Sequence, residues 1–294
     1  MSSVFFVTGS SRGLGRRIAE QALAGGHRVV ATARNPRDLD DLAARYGDQV
    51  HVEPLDVTDA EAARAAVEKG AAAFGRLDVV VNNAGQGDRA ALEDTTLEVF
   101  RRQLETNFLG TVYVTKAAVP ILREQGGGRI IQISSIGGRI GSPGMTAYQS
   151  AKWAVGGFSE ALAAEVAPLG IKVTVVEPGG MRTDWAGASM ATPPISAPYD
   201  ATVGASARAM AGFEHTANGD PDKVARLVLT AAELDDPPLR LLAGSDAYEY
   251  GREAWRARLE LDERWERLSR STDHDDAGAA WQEQRGTSLP GVAR

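Results

Sequence analysis

Val4-Phe5-Phe6-Val7-Thr8-Gly9-Ser10-Ser11-Arg12-Gly13-Leu14-Gly15 decides the fold. Its first four residues are β-branched or aromatic, as a strand buried on both faces requires. Residues 16–24 then read as helix, with Ile18, Ala19, Ala22 and Leu23 on the inner stripe and Gly25-Gly26 to stop it. In a strand–turn–helix unit of this kind the glycines let the backbone approach a pyrophosphate. The helix N-terminus presents free N–H groups and a positive dipole to it. The spacing here is Gly-x-x-x-Gly-x-Gly rather than Gly-x-Gly-x-x-Gly, so the turn needs support from neighbouring strands before it means a nucleotide site.

The next strand, residues 28–32, runs into Ala33 and Arg34. An acid at this point would accept the ribose hydroxyls of NAD, whereas an arginine accommodates the 2′-phosphate of NADP. Arg34, with Arg12 in the glycine turn as a second cation, therefore predicts NADP(H). The alternation continues with a helix over 38–46, a strand over 50–55 closing on Asp56-Val57, and an Ala-rich helix over 59–74. A fourth strand, 77–81, closes on Asn82-Asn83-Ala84-Gly85, and 96–116 reads as one helix with Asn107 part-way along it. Strands at 129–133, 171–176 and 239–243 and a helix at 223–232 complete the pattern. The prediction is an α/β fold: a doubly wound (Rossmann) parallel seven-stranded sheet with helices on both faces and ligands at the carboxyl ends of its strands.

Composition narrows the functions. The chain has 294 residues, 43% of them hydrophobic and 24% charged, an ordinary balance for a globular protein. A net charge of −7 with no basic tract argues against nucleic acid as a partner. The absence of cysteine removes disulfides, thiolate nucleophiles and Cys-ligated metals; no metal site is expected, and a reducing cytoplasm fits. No apolar run approaches the ~18 residues of a membrane span, and the apolar start leads at once into a glycine turn, unlike a signal peptide.

A second constellation lies in residues 134–152. Ser134 and Ser135 stand where the strand 129–133 ends, a Gly- and Pro-rich loop follows, and Tyr148 and Lys152 open a helix. Four apart, the phenol and the ammonium share one helical face, about 5–6 Å apart at Cβ. A cation beside a phenol stabilises phenolate, so Tyr148 is expected to titrate below its usual value near 10 and to exchange a proton near neutral pH. Asn107, within its helix, has a side chain able to open that helix to water. Residues 184–220, richer in Pro, Ser, Ala and Gly, read as a mobile lid with short helices inside a unit spanning 1–244. Residues 245–294 form a charged helical extension: Trp255 and Leu259 lie on one stripe of 248–270, Leu261, Trp265 and Leu268 on the next, and 272–294 is polar and expected to be poorly ordered.

With Thr8-Gly9-x-x-x-Gly13-x-Gly15, Asn82-Asn83-Ala84-Gly85, Asn107, Ser135, Tyr148-x-x-x-Lys152 and Pro178-Gly179 in this order, residues 4–244 resemble the short-chain dehydrogenase/reductase family, in its NADP-preferring form. The family's Ser lies thirteen residues before its Tyr, which selects Ser135 over Ser134. The resemblance implies that Ser135 hydrogen-bonds the substrate oxygen, that Tyr148 gives or takes the proton, and that Lys152 holds the nicotinamide ribose and depresses the Tyr148 pKa. Asn107 would bind a water that relays protons. The turn residues Gly9, Ser11, Arg12, Gly13, Leu14 and Gly15 would hold the cofactor with Arg34, Asp56 and Val57 on the adenine side. Asn83, Ala84 and Gly85 would line the ribose, and Pro178, Gly179 and Thr183 the nicotinamide. Residues 177–185 and Gly244-Ser245-Asp246-Ala247 look like a bacterial branch related to retinol and hydroxysteroid dehydrogenases, whose substrates vary.

The function expected is therefore an NADP(H)-dependent oxidoreductase that interconverts a carbonyl and an alcohol on a small molecule, in a homo-dimer or homo-tetramer by analogy with the family. The alternatives are an NADP-binding sensor or scaffold that has kept the fold without catalysis, and an epimerase or lyase on the same fold.

Overall fold

The computed structural model describes residues 2–183 and 190–274. Seven strands form one sheet: β1 (Val4–Val7), β2 (Arg28–Ala33), β3 (Val50–Pro54), β4 (Val79–Asn82), β6 (Gly128–Ile133), β7 (Ile171–Pro178) and β9 (Arg240–Ala243). Their spatial order is β3-β2-β1-β4-β6-β7-β9, and every neighbouring pair is parallel. A separate parallel pair joins β5 (Gly87–Asp88) to β8 (Met190–Ala191). Around the sheet lie α1 (Gly13–Ala24), α2 (Asp40–Tyr46), α3 (Ala60–Phe74), α4 (Leu97–Leu104), α5 (Gly110–Glu124), α6 (Thr146–Val166), the short α7 (Ala205–Ala209) and α8 (Phe213–Thr216), α9 (Pro221–Glu233) and α10 (Ser245–Arg270).

The pleat of β1 shows why helices cover both faces. Phe5 and Val7 point into the layer of α1, α2 and α9, while Val4 and Phe6 point into the layer of α3, α5 and α6. A strand with no polar side can be satisfied only in this way. The topology reverses between β1 and β4, and at such a switch point the strand ends diverge and leave a crevice. Among the described residues no helix is long and apolar enough to cross a membrane.

Three of the expected segments have further detail. The helix expected over 96–116 is present and runs on to Glu124 as α4 and α5, joined by the π-helical turn Glu105–Leu109 in which Asn107 sits. Of the segment expected as a lid, residues 184–189 lie outside the described residues; the rest carries β8, the short turns Ala197–Tyr199 and Asp200–Gly204, α7 and α8. In the extension, α10 is buried only at Ala247 and Gly251, and every residue from 259 to 270 is exposed. Residues 275–294 lie outside the described residues.

Candidate active site

A cavity of about 760 Å³ opens at the carboxyl ends of the strands. The glycine turn forms one wall. Gly9 and Gly13 adopt φ of +68° and +56°, which a side chain would strain. The turn is clamped to the loop after β4: Thr8 Oγ1 accepts from the Asn83 and Ala84 amides at 2.8 and 3.0 Å, and Asn83 Nδ2 donates to the Thr8 carbonyl at 3.0 Å. One Thr hydroxyl and one Asn amide thus hold two strand ends at fixed distance. Gly15 has a different part: it does not line the cavity, and a Cβ on it would stand 2.3 Å from the Gly9 carbonyl oxygen and from Asn83 Nδ2. Close packing of α1 on the turn requires glycine at position 15.

Ser11, Arg12, Gly13 and Leu14 line this wall, Arg34, Asp56 and Val57 continue it along the ends of β2 and β3, and Asn83, Ala84 and Gly85 form its floor. Asp56 turns its carboxylate onto the next residues but one, accepting from the Thr58 amide and hydroxyl at 3.0 and 2.8 Å. The arginines of this wall divide sharply. Arg16 is paired with Glu20 and Asp41, and Arg17 with Glu20 and Asp222. Arg12 and Arg34 are exposed at the cavity rim, with no acid on either among the described residues. The donor set suits an anionic dinucleotide: a helix N-terminus, two free guanidiniums, and a turn that side chains would obstruct.

The opposite end of the cavity holds Ser135, Tyr148, Lys152 and Asn107. The two serines have separate tasks. Ser134 Oγ donates to the Lys152 backbone carbonyl at 3.3 Å, fastening α6 to β6. Ser135 Oγ accepts from the Gly137 amide at 3.0 Å and is hydrogen-bonded to the Tyr148 oxygen. Tyr148 and Lys152 are 6% and 4% exposed, and the Lys152 Nζ lies 5.7 Å from the centre of the Tyr148 ring.

Burial sets their titration. It pushes the Tyr148 phenol up to about 12, with the Ser135 hydrogen bond working the other way, and brings the Lys152 ammonium down to about 8. In the folded chain, where Tyr148 was expected below its usual value, burial sets it above. Desolvation disfavours both charged forms, and the ammonium is turned to the Ile133 carbonyl at 2.8 Å.

Asn107, 1% exposed, spends its side chain on the loop after β4. Its Nδ2 donates to the Gln86 and Gln103 carbonyls at 2.8 and 2.9 Å, and its Oδ1 accepts from the Gln86 amide at 3.0 Å. A Cβ on Gly85 would lie 2.8 Å from Asn107 Oδ1 and 3.8 Å from Lys152 Nζ, so only glycine leaves room between them. Pro178, Gly179 and Thr183 also line the cavity.

Several residues without an expected role share this space. Asp246, on the first turn of α10, accepts from the Gly180 amide at 2.8 Å, and Tyr250 lines the cavity one turn on. Their position just after the last strand was the available signal, since doubly wound sheets gather function at strand ends. Arg89 lies in an aperiodic stretch whose reading offered nothing. Met190, Ser206 and Met210 reach the cavity from the segment after residue 189.

Comparison with known proteins agrees with this geometry. Residues 3–193 match the family model described as short chain dehydrogenase. An oxidoreductase of Botryotinia fuckeliana is 53% identical over 270 residues, covering 92% of this chain and 98% of that one. The crystal structure of a short-chain dehydrogenase from Streptomyces avermitilis superposes with a TM-score of 0.87 at 38% identity, covering 93% of this chain and 100% of that one. An alcohol dehydrogenase from Thermococcus sibiricus, solved with 5-hydroxy-NADP, gives 0.69 at 27% identity over 82% of this chain and 96% of that one. A match to the family along most of the chain, with a relative alike from end to end, makes this protein an oxidoreductase of the short-chain dehydrogenase family.

Proposed function

We propose that this oxidoreductase uses NADP(H) to interconvert a ketone or aldehyde and the corresponding alcohol on a small molecule. The observation that carries the reading is the joining, in one cavity, of two arginines unpaired among the described residues at the adenine end and a buried Ser135–Tyr148 hydrogen bond at the other. The NADP-bound neighbour of 27% identity supports the choice of cofactor. When bound, the nicotinamide supplies or accepts the hydride.

The chain's own residues handle the oxygen. A carbonyl oxygen placed against the Ser135 and Tyr148 hydroxyls receives two hydrogen bonds that strengthen as negative charge develops on it. Tyr148, neutral because buried, is then a proton donor in reduction and, deprotonated, the acceptor in oxidation. Lys152, beside it, stabilises the anionic form and contributes a hydrogen-bond donor towards the ribose. Asn107 holds the loop that carries Gly85 and is the proposed station of a proton-relaying water.

Residues 1–244 act as one unit in this reading. The segment around 184–220 serves as its lid, and 245–294 as an extension whose first turns close the pocket. Leu259, Leu261, Trp265 and Leu268, left exposed on α10, support a homo-dimer or homo-tetramer. A chain without cysteine fits a cytoplasmic setting.

The test is NADPH oxidation by the purified protein with a panel of ketones and aldehydes. Tyr148→Phe should lower turnover by roughly 10²- to 10⁴-fold while NADPH affinity is kept. Full activity in that variant overturns the reading.

A further inference from the structure

Arg89 is a buried cation without a counter-charge. Its residue is 6% exposed, its Nε is fully buried with no hydrogen-bond partner, and no carboxylate pairs with it among the described residues. The neighbouring Asp88 is taken by Arg102 at 3.3 Å. The other buried arginine, Arg139, shows the usual arrangement, since Glu177 neutralises it. Burial lowers the Arg89 pKa with nothing opposing the shift, yet a guanidinium stays protonated in proteins. A charge in this position is unfavourable until an anion joins it.

The position of Arg89 says which ligand the anion belongs to. Its amide donates to the Ala191 carbonyl at 2.8 Å, and the next amide, Ala90, donates to the Gly144 carbonyl at 3.0 Å. Its stem packs on Gly144, where a Cβ would stand 3.0 Å from Arg89 Cγ and 2.9 Å from Val203 Cγ1. Gly144, at φ +83°, belongs to the loop that leads into Tyr148, and Arg89 lines the same cavity as Met145 and Tyr148. These neighbours are the loop before α6 and the segment after residue 189. They are not the glycine turn or the Arg34 rim.

We propose that Arg89 is a substrate-binding residue that receives an anionic group, carboxylate or phosphate, carried by the carbonyl or alcohol compound close to its reacting carbon. The proposal rests on the carbonyl–alcohol reading of the site and narrows it to keto acids and hydroxy acids, or to their phosphate-bearing equivalents. A planar guanidinium with its donors unspent binds either group in a fork. Exclusion of water strengthens the pair relative to one at the exposed Arg12 or Arg34.

Matched substrate pairs test this: a 3-keto acid against its methyl ester, and a keto phosphate against the corresponding keto alcohol, each with NADPH. For the wild type, kcat/KM should favour the anionic member of one pair by roughly 100-fold, and the favoured pair tells carboxylate from phosphate. Arg89→Met should bring that ratio close to one, and Arg89→Lys should restore part of it. A wild-type ratio near one in both pairs, or a ratio unaltered by Arg89→Met, overturns the proposal. The wild-type ratio decides even if the methionine variant fails to fold.

If the wild type reduces no carbonyl in either pair, the parent reading fails, and the anion site is then judged by calorimetry. 3-Hydroxybutyrate and glycerol 3-phosphate are titrated into the protein with NADP present. Binding to the wild type that is lost in Arg89→Met upholds the site, and no binding of either anion overturns it.

Discussion

Lys152 donates its ammonium to the Ile133 carbonyl at 2.8 Å, across the junction between the start of α6 and the end of β6. The contact holds the cation in a water-poor place and anchors the helix that carries Tyr148. It also sets a pH dependence of stability. Lys152 titrates near 10.5 in an unfolded chain and at about 8 here, so between those values the unfolded state binds a proton that the native state does not, and stability rises with pH. Tyr148 goes from 10.0 to about 12, so the native state keeps a proton that the unfolded state loses, and stability falls over that window. Urea unfolding of the wild type minus Lys152→Met should improve by about 3 kcal/mol from pH 7 to pH 10.5. A flat difference shows that Lys152 is not desolvated.

Arg34 stands exposed just after β2, with no acid paired to it among the described residues, where an acid would favour NAD. Arg34→Asp should weaken NADPH binding by roughly 10- to 100-fold and spare NADH, as loss of a charge-assisted contact plus a repulsion implies. The ratio of the two Kd values, measured by fluorescence titration, is the readout. An unaltered ratio removes Arg34 from the 2′-phosphate site.

Gly15 touches no part of the cavity, yet position 15 has no room for a methyl group. Gly15→Ala should cost roughly 1–3 kcal/mol of stability through overpacking, and it should lower dinucleotide affinity by displacing the turn. Chemical denaturation and NADPH titration read the two effects. Normal stability with weak binding would make Gly15 a contact residue after all.

Glu177, fully buried, joins Arg139 on one side and Arg240 on the other, the latter at 2.7 Å. Glu177→Gln leaves the buried Arg139 without a counter-charge, while Arg240 keeps Glu160 at 2.7 Å, and should destabilise the fold by roughly 3–5 kcal/mol. Urea midpoints measure it. A loss below about 1 kcal/mol would mean that solvent reaches the cluster and screens it.

Much of the site was legible because every strand of the sheet runs parallel to its neighbours. In a parallel sheet each connection returns the chain to the same edge, so Gly9, Arg34, Asp56, Asn83, Ser135 and Pro178, each at or just after the end of a strand, had to meet. Two features of the site depend on distances that chain order does not carry. Gly15 follows the phosphate motif in sequence but faces the Gly9 carbonyl and Asn83 Nδ2, which only three-dimensional packing reveals. Lys152 was expected to lower the Tyr148 pKa by its charge, whereas burial is the largest influence on the phenol in the folded chain and raises it.

The residue pattern by itself determined the class of fold, the sheet of seven strands and the identity of the groups at its edge. Hydrophobic periodicity and turn chemistry act over a few residues and leave their mark in the order of the chain. Tertiary structure alone decided which of those groups are desolvated, which are paired and which are free. Arg16, Arg34, Arg89 and Arg139 are one residue type in the sequence. Only the fold makes the first and last ion-paired, the second solvent-exposed and the third a buried charge awaiting a partner, because charge energetics depend on distance and water, and neither is written along the chain.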